Sequence, residues 1–99
     1  MTAAEEKFNR LATQWSEETQ FLSSSTEIAA HPAYQEIIGM GDAAVVFMLR
    51  RMAAGDLEHW FAALHTITKA DPVPPEDCGR IEKMAGHWVA WGRNRNIIP

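Results

Sequence analysis

The sequence contains a single cysteine, Cys78, which excludes an intrachain disulfide and is typical of a reducing compartment. Its longest apolar run, residues 43–49, is far shorter than the roughly 20 residues that span a bilayer. The first residues are acidic and no apolar stretch follows them, so we expect no secretion signal and no membrane contact. Nine basic residues face 13 acidic ones, and the net charge of −4 disfavours nucleic acid as a partner. We therefore expect a cytoplasmic protein.

A chain of 99 residues forms one domain. Apolar residues recur at three- and four-residue steps, a spacing that places them on one side of a helix, and no segment alternates as a half-buried strand does. A buried strand is the alternative for residues 43–49, because Val-Val-Phe favours strands. The flanking alanines and the pair Arg50-Arg51 favour a helix there, and we predict an all-α fold.

Caps and helix breakers divide the chain into five predicted helices. The first begins with a capping box between Thr2 and Glu5 and ends before a run of hydroxyl residues. The third is apolar on nearly all sides, so neighbouring helices must enclose it. The five helices cover about residues 3–22, 32–38 and 43–53, then one that follows Asp56 as its N-cap, and one that begins near Pro75.

Four tryptophans are more than a core of this size requires. Trp15, Trp60 and Trp88 lie on the apolar stripes of their helices and are predicted to be buried, whereas Trp91 lies at the edge of its stripe. Tryptophan and arginine are enriched where proteins bind proteins. Core packing is the competing interpretation for each candidate. The candidates for a partner-binding surface are Phe21, Arg50, Arg51 and Trp91.

The residues that could carry chemistry form no recognisable site. His59 and His65 are six positions apart, which points them about 120° away from each other on a helix. Cys78 and His87 are nine apart, and neither spacing is that of a metal site. We therefore expect no catalytic residue, no metal and no cofactor. A small enzyme or metal-binding domain is an alternative that requires His59, His65 or His87 to converge with carboxylates in a cleft.

Charge is divided unevenly along the chain. Residues 1–49 contain seven acids and two bases, whereas residues 50–99 contain six acids and seven bases. We expect the first helix to present an acidic face. A nucleic-acid-binding regulator is a second alternative, although the chain is acidic and has no helix-turn-helix signature. That alternative requires one face that gathers Arg50, Arg51, Arg80, Lys83, Arg93 and Arg95.

Residues 41–64 resemble a HEAT-type helical hairpin. The matching elements are the apolar helix after Gly41, the short turn that ends at Asp56, and a second helix that ends in Ala-Leu64. The resemblance implies that the last three helices stack as HEAT repeats do. The domain would then consist of an N-terminal helix, 1–22, and a HEAT-like helical core, 27–99.

A longer part of the chain, about residues 31–98, resembles an uncharacterised family of small bacterial proteins. Val46 stands where such sequences are expected to have a proline, and Ala62 where a tryptophan is common. The family implies no activity, and its small single domain is similar to antitoxin or immunity partners. The matching strings are His31-Pro-Ala-Tyr-Gln-Glu-Ile-Ile-Gly-Met-Gly41, His59-Trp-Phe-Ala-Ala-Leu-His-Thr-Ile-Thr68, Asp71-Pro-Val-Pro-Pro75 and Trp88-Val-Ala-Trp-Gly92.

The surplus of aromatic residues and the lack of a catalytic constellation together predict a non-catalytic protein–protein interaction module. An antitoxin or a regulatory partner of another bacterial protein is the type that we expect. A homodimer is a further expectation, because the first helix could pack on its own domain or pair with a second copy.

Overall fold

The computed structural model describes residues 2–99 and, within them, every side chain but that of Ser25. The described chain is all-helical and contains no strand, so residues 43–49 are helical as predicted. No helix in this range is long and apolar enough to cross a bilayer. The described residues form six α-helices, where five were predicted, and one 3₁₀ helix at Pro75–Asp77. The α-helices are α1 (Ala3–Thr19), α2 (Ser25–Ala30), α3 (Pro32–Gly39), α4 (Asp42–Ala53), α5 (Phe61–Thr68) and α6 (Ile81–Asn94).

The additional helix is α2, in a segment that the sequence analysis assigned to a turn. The α1 helix begins at the predicted cap, where the Thr2 hydroxyl accepts a hydrogen bond from the Glu5 amide at 3.1 Å. It ends at Thr19 rather than at residue 22. The Ser24 hydroxyl then accepts from the Glu27 amide and starts α2. The hydroxyl run therefore caps a new helix as well as following the end of the first.

The fourth predicted helix starts later than expected, at Phe61 rather than directly after Asp56. The Asp56 carboxylate accepts from the Glu58 amide at 2.9 Å, a local bond that holds a bend. Helix α5 is capped instead by Tyr34, whose hydroxyl accepts from the Ala63 amide at 2.9 Å. The start of α5 is therefore set by a residue of α3.

The last predicted helix also starts later, at Ile81 rather than near Pro75. Residues Pro75–Asp77 form a separate 3₁₀ helix, and Gly79 follows with φ +89°, which L side chains rarely adopt. Asp77 accepts from His87 of α6, with 2.8 Å between Oδ2 and Nε2. The 3₁₀ helix is thus attached to the side of α6 instead of continuing into it.

The core is built around four aromatic side chains from three parts of the chain. Phe8 and Trp15 of α1 pack against Trp60, with ring centroids 5.5 and 4.8 Å apart, and Tyr34 of α3 lies 5.1 Å from Trp15. Trp15, Trp60 and Trp88 are buried, as predicted. Helix α1 packs against α3 and α4, α5 against α3 and α4, and α6 against α4. The N-terminal helix therefore folds onto its own domain.

Candidate partner-binding site

A largely apolar groove lies between α2, the start of α5 and the start of α6. Phe61 and Ala62 lie in the first turn of α5. Ile81 and Met84 lie in the first turn of α6, and because they are three positions apart they lie on the same side of that helix. The groove has a volume of about 410 Å³. Its lining is Ala29, His59, Phe61, Ala62, Gly79, Ile81 and Met84.

The groove adjoins a smaller depression. Leu22 lines this depression, and His59 lines both the depression and the groove. Leu22 and Ile81 are 39% and 38% exposed, and Phe21, the residue before Leu22, is 91% exposed. We call the surface formed by the groove and Leu22 the apolar face. It comprises Leu22, His59, Phe61, Ala62, Ile81 and Met84.

Charged residues lie at the end of α1 and at the start of α6. Glu17 and Glu18 lie in the last turn of α1, and Glu18 is 2.8 Å from His31. Arg80 is the N-cap of α6, Glu82 and Lys83 lie in its first turn, and Lys83 is 3.9 Å from Asp77. Acids at the C-terminus of a helix and bases at the N-terminus both oppose the helix dipole, by about 0.3–1 kcal/mol each. Glu82 is the acid in the first turn of α6 that the dipole favours, so the start of α6 carries charges of both signs.

Arg50 and Arg51 lie at the opposite end of α1 from Phe21. The Arg50 guanidinium is 3.9 Å from Glu5. The Arg51 guanidinium lies over the Phe8 ring at 5.2 Å and donates to Asn9 at 2.9 Å. Since α1 rises about 1.5 Å per residue, this end is on the order of 20 Å from Phe21. The structure therefore does not bring the two arginines to the apolar face, and the contacts of Arg51 give it a structural role.

Trp91 lies at a third location. It is half-buried, packs edge-on against Trp88 with centroids 5.3 Å apart, and carries Arg95 over its ring at 4.9 Å. The adjoining cleft has a volume of about 480 Å³. Its lining is Asp42, Val45, Val46, Ile67, Thr68, Trp91, Arg95 and Ile97. The four predicted partner residues thus occupy three separate places, and their role in binding stays a prediction.

The histidines named for a metal or catalytic site also lie at separate locations. His87 pairs with Asp77, whereas His65 Nδ1 is 3.0 Å from the Ala70 carbonyl oxygen and His59 lines the apolar groove. Within residues 2–99, no three His, Cys, Asp or Glu side chains lie close enough to hold a metal ion. The basic residues are spread as well, because α6 separates Arg80 from Arg93 by about 20 Å.

Sequence reasoning missed Phe61, Ile81 and Met84 as surface residues. Their spacing in the sequence assigns them to the apolar stripes of their helices and so predicts that they are buried. Ile81 is nevertheless 38% exposed. The sequence feature that could have identified them is their position in the first turn of each helix, where an adjacent helix can leave the apolar stripe uncovered. Comparisons of the chain with protein-family models, with curated proteins and with solved structures found no match.

Proposed function

We propose that the chain is a non-catalytic protein–protein interaction module that binds its partner on the apolar face. The observation that carries the proposal is the apolar groove of about 410 Å³, whose lining includes Ile81, 38% exposed. Contiguous exposed apolar surface on a small domain marks an interaction site, and aromatic anchors supply most of the binding energy at such sites.

The lining of the groove favours a protein partner over a reaction. Among its described residues, His59 is the only titratable one, so the groove holds no acid–base pair. Its walls are formed by the aliphatic and aromatic parts of Phe61, Ile81 and Met84. Such a surface recognises apolar side chains rather than a polar substrate.

An antitoxin or another regulatory protein works by binding alone, and we propose that type of activity for the chain in a bacterial cytoplasm. The HEAT-like stacking of α4, α5 and α6 belongs to the same proposal. The contacts of α4 with both α5 and α6 support it, because they make α4 the central helix of the three. The roles of Arg50 and Trp91 in binding are also proposals.

Site-specific photo-crosslinking tests the proposed face. A photoreactive amino acid replaces Ala62, which is exposed in the groove, and in a matched variant it replaces Ala90, which is exposed on α6 outside the groove. We expect a discrete crosslinked protein adduct in cells only from position 62. Adducts of equal yield from both positions, or none from either, would contradict the proposal.

A further inference from the structure

We propose that His31 is a pH-sensitive cap, which holds the junction between α2 and α3 only while its imidazole ring is neutral. The proposal goes beyond the proposed function, because it concerns how α2, which lines the apolar groove through Ala29, is held in place. It is argued from the hydrogen bonds of the two ring nitrogens, from the burial beside them, and from the position of His31 between the two helices.

The two nitrogens of the His31 ring have opposite roles. The amide of Ala33 donates to Nδ1 at 3.0 Å, so Nδ1 must carry a lone pair. Nε2 lies 2.8 Å from Oε1 of Glu18 in α1, and because a carboxylate only accepts, Nε2 must carry the hydrogen. The neutral ring with its hydrogen on Nε2 satisfies both contacts at once.

Protonation of the ring breaks only one of these two hydrogen bonds. In the imidazolium both nitrogens carry a hydrogen. The bond from Nε2 to Glu18 is kept, whereas Nδ1 can no longer accept from the Ala33 amide, and two N–H groups would face each other at 3.0 Å. The protonated ring therefore keeps its contact with α1 and loses its cap on α3.

The Ala33 amide has no ready substitute for this acceptor. Pro32 is the first residue of α3 and has no amide hydrogen, so Ala33 provides the first amide of the helix that needs a partner. Ala33 is 3% exposed, which leaves little room for water to take the place of the ring. Loss of the cap is thus expected to loosen the start of α3.

The position of His31 connects this cap to the groove. His31 is both the C-cap of α2 and the N-cap of α3. The side chain of Gln35, in the first turn of α3, donates to the carbonyl oxygen of Ala29 at 2.9 Å, and Ala29 lines the groove. Loosening the start of α3 therefore weakens two restraints on the last turn of α2.

The charged groups around His31 are acids. Glu18 approaches from α1, and Glu27 lies four positions before His31 in α2. The one charged residue of α3, Glu36, lies beyond its first turn. The one titratable residue of α5, His65, is directed elsewhere, with its Nδ1 3.0 Å from the Ala70 carbonyl oxygen. The bond from the Ala33 amide is thus the contact of the ring that a second hydrogen breaks.

Nuclear magnetic resonance of the full chain tests the proposal. At about pH 8, the imidazole spectrum of His31 is expected to show a hydrogen on Nε2 and none on Nδ1. As the pH falls from about 8 to about 5, the hydrogen-exchange protection factors of the Ala33 and Ala29 amides are expected to fall about fivefold, the factor typical of a lost cap. Both changes should have the midpoint of the His31 titration.

His31→Asn is the matched control, because asparagine caps a helix and does not titrate. Its protection factors at Ala33 and Ala29 should stay constant over the same interval, and circular dichroism verifies that it keeps the wild-type helix content. A hydrogen on Nδ1 at about pH 8, or protection at Ala33 that is unchanged when His31 titrates, would overturn the proposal. An equal fall in His31→Asn would do the same, since the loosening would then have another source. A fall at Ala33 without one at Ala29 would overturn the connection to the groove.

Discussion

At the scale of single residues, Tyr34 supplies the capping hydrogen bond that the start of α5 lacks. The N-cap residue is Trp60, whose side chain forms no capping hydrogen bond with a described group. The Tyr34 hydroxyl accepts from the Ala63 amide in its place and donates to the His59 carbonyl oxygen at 2.7 Å. Burial raises the pKa of Tyr34 to about 12, because a phenolate would be desolvated, although the bond from the Ala63 amide opposes this rise in pKa.

High pH is therefore expected to destabilise the fold through Tyr34. Because the fold favours the neutral phenol, its contribution is complete below pH 10 and is lost as the pH rises from 10 towards 12. The free energy of unfolding should fall by up to about 1.4 kcal/mol per pH unit in this interval. Tyr34 is the only tyrosine, so the tyrosinate absorbance reports its pKa directly. The control is Tyr34→Phe, whose free energy of unfolding should lack this part of the dependence on pH. A midpoint near pH 10 in the folded protein would contradict the assignment.

At the scale of the element, α6 contains two glycines in opposite environments. Gly86 is exposed, and a Cβ atom built there meets nothing within 4 Å. Gly92 is buried, and a Cβ atom there would lie 2.7 Å from Leu49 Cδ1 and 3.3 Å from Ile98 Cγ1. Leu49 is itself fully buried in the core. The absence of a side chain at Gly92 is thus what allows α6 to approach α4 and the C-terminal residues closely.

The same substitution should accordingly have opposite effects at the two positions. Gly86→Ala is expected to raise the free energy of unfolding by about 1 kcal/mol, because alanine loses less backbone entropy in a helix. Gly92→Ala is expected to lower it by about 1–2 kcal/mol, because the added methyl group must displace Leu49 in a packed core. Urea denaturation of the two variants provides the measurement. A gain of stability at both positions would show that Leu49 and Ile98 can move aside without cost.

At the scale of the whole molecule, α1 is part of the aromatic cluster around Trp60. Phe8 and Trp15 of α1 enclose Trp60, which joins the helices that follow. The Trp15 indole also donates to the Ile28 carbonyl oxygen at 2.8 Å and holds α2 in place. Because Phe8 and Trp15 pack directly against the buried Trp60, α1 and the remainder of the chain should unfold together.

Truncating Phe8 is expected to destabilise the whole domain rather than α1 alone. Phe8→Ala should lower the free energy of unfolding by about 3–5 kcal/mol through the cavity that it leaves. Thr13→Ala, an exposed position on the same helix, should change it by less than about 0.5 kcal/mol. Near- and far-ultraviolet circular dichroism should report one coincident transition in both variants. Separate transitions would mean that α1 detaches as an independent unit.

The helix starts that could be predicted are those whose cap is local. Thr2 caps α1 through a residue three positions away, and Pro32 is the first residue of α3. The start of α5 could not be predicted in this way, because its cap, Tyr34, is 29 positions from Ala63. Asp56, a residue type that favours the N-cap, instead predicted an earlier start. Interactions between residues close in sequence therefore determined the starts of helices only where no distant side chain supplied the cap.

The residues of the candidate site also divide into those that could be predicted from the sequence and those that could not. Phe21 was a candidate for the partner-binding surface by residue type, and the structure places it in solvent. Ile81 and Met84 could not, because periodicity assigns them to a buried stripe without indicating whether another element covers its first turn. No sequence pattern predicted that the first turns of α5 and α6 line one groove.

By itself, the sequence determined the helical class, the burial of Trp15, Trp60 and Trp88, and the absence of a membrane-spanning segment in the described chain. These properties depend on spacing and composition over a few turns of chain. Only the tertiary structure decided where α5 begins, which glycine lies in close packing, and which apolar side chains stay uncovered. The reason is that each of these features depends on contacts between residues far apart in sequence, whose geometry no local pattern encodes.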